Sequence, residues 1–417
     1  MTRNRTRRVA VTGVGIVSPY GGDVHDFFAR TVAGESSVGW YRQPDASPDL
    51  AQPAAVCRGF DSERVLGRQL SSLTDRFAQL GIAAAFSAWR DAGLAPAATI
   101  DNPFCVSWGT GIGGTLTIES GYVDYYKLGR TRASPLSVPM AMNSAAASQI
   151  AIALGLGGAC LTYSVACASS TVAIGEAFRR IKAGETPIAL AGGSEAPLSF
   201  SVMRAWEGMR VVAECTEQTA HQACRPFHAR RSGLVLAEGA AALILEDFEH
   251  ASERGARIYC ELAGFGQSCD HTHLVRPSAE GQSRALRAAM AEADLQAADV
   301  GYVNAHAAGT REGDAIEIAS LKSVFGSHAA DLLVSSTKSM HGHSLGAAGA
   351  VEAVVAALAV HEDKVPPTAN LDEVGEECQG VRHVVREGVA NPGIRAAISN
   401  SFAFGGSNAV LAFRAVD

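Results

Sequence analysis

Cys167, His306 and His343 are the residues whose types and spacing could do chemistry in this chain. Cys167 stands where the apolar run CLTYSVA gives way to ASSTVAIGEAFRRIKAGE, a helical pattern with small residues in its first turns. A nucleophile at such a turn gains from the helix N-terminus, which favours the thiolate and predicts a lowered thiol pKa. Backbone N–H groups nearby can also hold an oxyanion. Ala168, Ser169 and Ser170 let the turn pack tightly and leave room for a substrate. On residue type alone, a buried structural thiol is the commoner reading of Cys167.

The histidines change that balance. VNAHAAGTREGD places His306 just after a strand and ahead of a glycine-containing loop, and SSTKSMHGHSLGAAGAVEA places Lys338, His341 and His343 before a small-residue helix carrying Glu352. A lone histidine is more often structural, but two at strand ends with a cysteine at a helix start form a nucleophile-and-base set. NSFAFGGSN adds a glycine-rich turn between two strands near the C-terminus.

Continuous apolar runs must position these groups. RRVAVTGVGIV, FCVSWGTG, CLTYSVA and PIALAGG read as buried strands in the first part, and IYCELAGFG, VGYVNAH, LLVSSTK, IRAAISNSF and AVLAFRAV in the second. Helical patterns such as DRFAQLGIAAAFSAWRDAGL and SRALRAAMAEADLQ lie between them. Apolar strands of this kind are covered on both faces, which predicts an α/β layered fold. Each half opens with an apolar strand ending in glycines (VAVTGVGIV, YCELAGFG), so two similar halves are expected, residues 1–250 and 251–417. They would meet near the charged, exposed-looking segment EDFEHASERGARI. Residues 201–235 read as a long cap or loop on the first half.

Bulk properties exclude several classes. At 417 residues the chain exceeds one typical core, and a net charge of −7 gives no reason to expect nucleic acid. No apolar run long enough to cross a bilayer is evident, and the basic start MTRNRTRR reads as a solvated tail, not a signal peptide. Nine cysteines without a CxxC fit reduced, mostly buried thiols and a cytoplasmic location.

Three weaker signals are set aside. GTGIGG fits GxGxxG, yet no acidic ribose partner follows at the right distance, and tight turns explain its glycines. Cys269, His271 and His273 in CDHTH alternate as metal ligands could, but no compact fourth ligand follows, so a polar pocket loop and no metal is expected. Arg64, Arg68, Lys127, Arg130, Arg132, Arg204 and Arg210 could steer an acidic protein partner, and each is as readily an ordinary solvated charge.

Over essentially its whole length the chain resembles the β-ketoacyl-ACP synthases of the thiolase fold. The resemblance is strongest to KAS II-like enzymes and to ketosynthase subunits of type II polyketide synthases. It runs in order through VTGVGIVSP, GTGIGG, SVACASS, AGGSEA, RPF with GLVLAEGAAALILE, VNAH, SSTKSMHGHSLGAAGAVEA, VPPTANLD and SNSFAFGGSN. It implies two similar halves in a five-layer α-β-α-β-α sandwich. Cys167 matches the acyl-accepting cysteine, His306 and His343 the histidines that assist decarboxylation, Lys338 the lysine of the TKS motif, and Glu352 the glutamate that pairs with it. The amides of Cys167 and Phe404 match the oxyanion hole, and Phe404 also the residue that gates the acyl pocket. Thr310, His273, Gly405 and Gly406 match positions that contact the pantetheine arm. The implied reaction joins an acyl-Cys to malonyl-ACP with loss of CO₂. The resemblance also implies no permanently bound cofactor, with substrates carried on the phosphopantetheine of an acyl carrier protein. The implied assembly is a homodimer, or a heterodimer with a chain-length-factor-like subunit.

The chain departs from the family at several positions. Ala308 and Val275 replace two threonines that would bond the pantetheine arm, Ala403 replaces a glycine before Phe404, and His228 and Ser232 replace two aspartates in a structural salt-bridge corner. His341 stands where a threonine is common, and a structural role beside His343 is expected. The departures lean toward specialised, polyketide-like synthesis, with housekeeping fatty-acid elongation as the alternative. A thiolase would need a second cysteine near the C-terminus, beyond Cys378, and a chain-length factor would lack the active cysteine, so both are disfavoured.

Overall fold

The computed structural model describes residues 7–43, 49–96 and 102–416; most of the basic start MTRNRTRR lies outside them. Five strands of the first half are β1 Val9–Val17, β2 Cys105–Gly109, β3 Cys160–Tyr163, β4 Ile188–Glu195 and β5 Gly239–Asp247. The second half contributes β6 Cys260–Cys269, β7 Tyr302–Asn304, β8 Leu333–Ser335, β9 Arg382–His383, β10 Ala396–Ala403 and β11 Ser407–Arg414. Their order is β9-β8-β7-β10-β11-β6-β1-β5-β4-β2-β3. Read outward from the centre, and leaving aside the two-residue edge strand β9, each half follows one scheme: first strand, last strand, then the fourth, second and third. The first two pairings are antiparallel and the next two parallel in both halves. The halves join where β1 and β6 pair over Val9–Leu262, Ala10–Glu261 and Val11–Cys260.

Helices α1 Arg76–Asp91 and α2 Ala145–Leu154 cover one face of the first half, and α4 Ala279–Glu292 and α5 Arg311–Phe325 cover the second. Between the halves lie α3 Ser169–Ala183 and α6 Ala348–Glu362, which touch each other and strands of both halves. This is a thiolase-like α-β-α-β-α sandwich. The paired glycines that open each half have one cause. A Cβ on Gly13 or Gly15 would lie 2.4 or 2.2 Å from the carbonyl oxygens of Ala88 and Ala84 on α1. On Gly264 or Gly266 it would lie 2.3 or 2.0 Å from those of Ala289 and Ala285 on α4. Strand and helix approach so closely in both halves that only glycine fits.

Four sequence expectations are corrected. CLTYSVA is not a buried strand: β3 ends the sheet, and Leu161 is 40 % exposed. EDFEHASERGARI is not simply exposed. Glu246 is fully buried because Thr12 and Arg254 donate to its carboxylate, and Phe248–Glu253 is a helix. Residues 201–235 begin in the helix Phe200–Gly208 before becoming irregular. Finally, the 18-residue run Leu345–Glu362 is long and apolar enough to cross a membrane by length and composition, but 89 % of it is buried inside the protein. Its apolar character serves the central layer, where α6 has neighbours on every side.

Candidate active site

The turn that carries Cys167 is built by its neighbours. Ala166 takes a left-handed backbone (φ 45°), Ser169 Oγ accepts from Val165 N at 2.8 Å, and the same hydroxyl donates to Ala166 O at 2.6 Å. The small residue after it matters too: a Cβ on Gly109 would lie 2.3 Å from Ser170 N. Ser170 Oγ accepts from Ala350 N at 2.8 Å, which seats the start of α6 against α3. Cys167 therefore sits at the meeting of the two central helices.

His306 follows β7, where its N–H and that of Ala307 donate to Glu317 on α5 at 2.9 and 2.7 Å. His343 is held by its backbone: His343 N donates to Val235 O at 2.7 Å, and Ala237 N donates to His343 O at 3.0 Å. The fold brings the three together. His343 Nε2 lies 3.0 Å from Cys167 Sγ, and the His306 ring stands edge-on to His343 with centroids 5.4 Å apart. Neither Nδ1 has a hydrogen-bond partner among the described residues, so no bond at Nδ1 fixes either tautomer among them.

The electrostatics correct one expectation. The Cys167 thiol is not lowered; burial pushes it up to about 12, and the Lys338 charge only partly opposes this. A helix N-terminus reaches about one turn, whereas full desolvation of a thiolate acts on the whole charge. Burial, aided by Lys338, pulls both His306 and His343 well below the usual imidazole range, so both are neutral. Lys338 and Glu352 are both fully buried and form an ion pair. Burial raises Glu352 to about 7 against the pull of Lys338.

One cavity of about 380 Å³ opens onto these groups. Thr310, Phe404 and Gly406 line it, as do Ala308 and Val275, which put apolar surface where hydroxyls were expected. His273 does not line it: the side chain is exposed, and its Nδ1 accepts from Val275 N and Arg276 N at 3.1 and 3.2 Å, tying its own loop. Gly405 is also outside the lining. With φ of 86° and 73°, Gly405 and Gly406 make the β10–β11 turn, where Gly405 N donates to Leu274 O at 2.7 Å. Cys269 and His271 are exposed and gather no metal-like cluster with His273. His341 is fixed away from Cys167, with Nδ1 and Nε2 each 3.0 Å from Gly342 O and Thr337 Oγ1. His228 bonds Asp372 at 2.7 Å beside the buried Arg231, a structural corner.

Sequence reasoning missed several residues. Glu317 and Asp314 are buried at the base of His306 and Phe227, three apart on one face of α5, a spacing that could have flagged them. Glu195 accepts from Thr110 Oγ1, Gly111 N, Ile112 N and Gly346 N, joining the loop after β2 to the turn after His343. Trp206 stacks on Phe404 at 5.9 Å and 22° across the cavity wall, a contact with no sequence signal.

The profile of the beta-ketoacyl synthase N-terminal domain matches residues 6–251, and that of the C-terminal domain residues 259–372. The chain belongs to the beta-ketoacyl synthase family. Nodulation protein E of Rhizobium sp. (strain N33) is 41 % identical over 412 residues, 98 % of this chain and all of that one. The 3-oxoacyl-[acyl-carrier-protein] synthase 2 of Staphylococcus aureus (strain COL) is 37 % identical, with 99 % of both chains covered. Among solved structures, a type II polyketide synthase acyl-carrier protein in complex with its ketosynthase bound to the hexaketide aligns with a TM-score of 0.90 at 31 % identity. The ishigamide ketosynthase/chain length factor aligns at 0.90 with 29 % identity; in both cases 99 % of this chain and 100 % of the other are covered. Membership makes this chain a condensing enzyme, an acyltransferase that forms carbon–carbon bonds.

Proposed function

We propose that the chain takes an acyl group from an acyl-carrier-protein thioester onto Cys167 and condenses it with malonyl-ACP, releasing CO₂ and β-ketoacyl-ACP. The observation that carries this reading is the 3.0 Å contact of His343 Nε2 with Cys167 Sγ, beside His306, at one cavity. In the first half-reaction the sulfur of Cys167 attacks the thioester carbonyl, its proton passes to His343 Nε2, and the carrier leaves as a thiol after taking that proton. The amides of Cys167 and Phe404 hold the oxyanion.

In the second half-reaction malonyl-ACP loses CO₂, and the electron pair of the broken bond becomes an enolate. Its oxygen is held by hydrogen bonds from the Nε2 atoms of the neutral His306 and His343. The carbanion then attacks the acyl-Cys carbonyl and expels the Cys167 thiolate, which takes a proton from solvent to restore the thiol. With Nδ1 unconstrained, the His343 ring can accept in the first step and donate in the second. Burial holds both imidazoles neutral, and the positive charge of Lys338, kept in place by Glu352, adds to it. Thr310 and Gly406 line the arm's route, and Phe404 gates the acyl pocket with Trp206 at its back.

The pathway we favour is type II polyketide or polyene synthesis. Ala308 and Val275 in the cavity wall and the type II ketosynthase structures support it. The 37 % identity to a 3-oxoacyl-ACP synthase 2 supports fatty-acid elongation as the second reading. The carrier protein is the partner we propose for the basic residues, among them Arg64, Arg68 and Lys127. A second subunit, either another copy or a chain-length-factor-like one, would cover the apolar first-half edge, where Tyr126 is 86 % and Val138 75 % exposed. The two halves, 1–250 and 251–417, are proposed as the structural units. A cytoplasmic site fits nine free thiols.

The test is intact-mass measurement after incubation with carrier proteins bearing octanoyl or short polyenoyl groups, alongside Cys167→Ala. A mass gain equal to the acyl group, absent in the variant, establishes the acyl-enzyme. The preferred acyl group separates the two pathways. No adduct from any carrier, with a candidate partner subunit added, overturns the reading.

A further inference from the structure

Among the described residues, His, Cys, Asp and Glu side chains gather with metal-ligand spacing at one place, where one ligand atom each of Cys167, His306 and His343 lie within 4.8 Å of one another. This set was read from the sequence as a nucleophile and its helpers, with no metal. Its chemistry is also that of a thiophilic cation site: one sulfur and two imidazole nitrogens are three of the four ligands a tetrahedral zinc ion takes, and the cavity admits a water as the fourth. Bond lengths of about 2.0–2.3 Å from a central ion would need only small side-chain adjustments within that spacing. The His306 and His343 rings stand at 83°, edge to face and not stacked, with centroids 5.4 Å apart.

We propose that in the free enzyme Cys167, His306 and His343 bind a thiophilic divalent cation, zinc above all, which blocks acyl transfer reversibly. On binding, the Cys167 S–H gives its proton to solvent and the thiolate becomes a metal ligand. An acylated Cys167 has no thiolate to offer, so substrate loading and metal binding exclude each other. The surroundings make this a weak, exchangeable site. A resident zinc site orients each histidine by a bond from its other nitrogen, and here both Nδ1 atoms lack a partner. The nearby Lys338 charge also opposes a cation, although Glu352 offsets it. The proposal rests on Cys167 being the acyl-accepting thiol only for the exclusion of substrate.

The test uses the full-length protein, stripped with EDTA and titrated with zinc chloride, with the rate of Cys167 alkylation by iodoacetamide followed by peptide mass. One zinc per chain should protect Cys167, EDTA should restore alkylation, and cobalt(II) in place of zinc should give a sulfur-to-metal charge-transfer band. His306→Ala and His343→Ala, each checked for fold by circular dichroism, should weaken zinc about 10–100-fold or more, and Cys167→Ser should abolish the band. Cys269→Ser, at an exposed thiol beside His271, should leave protection of Cys167 unchanged. Unaltered alkylation of Cys167 in the presence of zinc, or a band that follows Cys269, overturns the proposal. A protein that loads acyl groups yet ignores zinc removes this inference alone; one that binds zinc at Cys167 but never takes an acyl group removes the proposed function alone.

Discussion

His343 Nε2 lies 3.0 Å from Cys167 Sγ although 176 positions separate them in the chain. The contact joins the turn before α3 to the segment before α6. His343→Ala removes both the proton acceptor for the thiol and one donor to the enolate oxygen. The condensation rate should fall about 10²–10⁴-fold. Release of CO₂ from malonyl-ACP, measured separately, should fall with it; unchanged decarboxylation would remove His343 from the second half-reaction.

The buried pair Lys338–Glu352 should be costly to break and cheap to replace. Glu352→Ala leaves Lys338 buried without its partner and should destabilise the fold by about 3–5 kcal/mol in urea titration. The double variant Lys338→Met/Glu352→Leu should recover most of that stability while remaining inactive in condensation. Equal losses in the single and double variants would show that the pair is not coupled in the folded state.

Burial raises Glu195, Glu317 and Glu352 to about 7 and Asp314 to about 6, from 4.5 and 3.8. Between the unfolded and folded values the native state binds more protons than the unfolded chain. The contribution of these four carboxylates to stability should therefore fall as pH rises through about 4 to 7, and level off above that window. The depressed His306, His341 and His343 act in the opposite sense over the same range, so urea titrations at pH 5 and pH 8 read the carboxylate contribution as the difference between parent and carboxylate variant. Glu317→Gln should remove its share of the fall, since one titrating group is gone; an unaltered slope would show that Glu317 does not titrate there.

Trp206→Ala should loosen Phe404 without touching Cys167. Stacked aromatic pairs contribute about 0.5–1.5 kcal/mol, so the rate constant for acyl loading should change by about 2–10-fold. Trp206→Phe should restore it. Single-turnover loading followed by intact mass reads the effect directly.

The open edge of β3 should set the oligomeric state. Leu161→Asp places a charge in the exposed apolar face that also carries Ile152, which is 73 % exposed. Light scattering should show the variant at about half the mass of the parent, with its fold retained. A parent that is already monomeric would show that this edge does not pair with a second copy of the chain.

Much of the site was legible because the chemistry is local in the chain. The turn at Cys167, the strand end at His306 and the TKSMHGH run each announce themselves by residue type, and apolar strands with paired glycines announce the repeated halves. Glu195 and Trp206 were not legible. Each acts through a partner 84 or more positions away, at Gly111 and Phe404. For His273 only the family position could be read from the sequence: its Nδ1 accepts from Val275 N and Arg276 N in its own loop, and it is outside the cavity lining.

By itself the sequence determined which groups can react and which strands must be covered on both faces, because residue type sets chemistry and apolar periodicity sets burial. Only the tertiary structure decided the protonation of those groups. Cys167 was expected to be acidified by its helix, and is instead a thiol held up by burial. A local dipole can be inferred from a turn, but desolvation is the sum of every layer packed around the site, and that sum exists only in the fold.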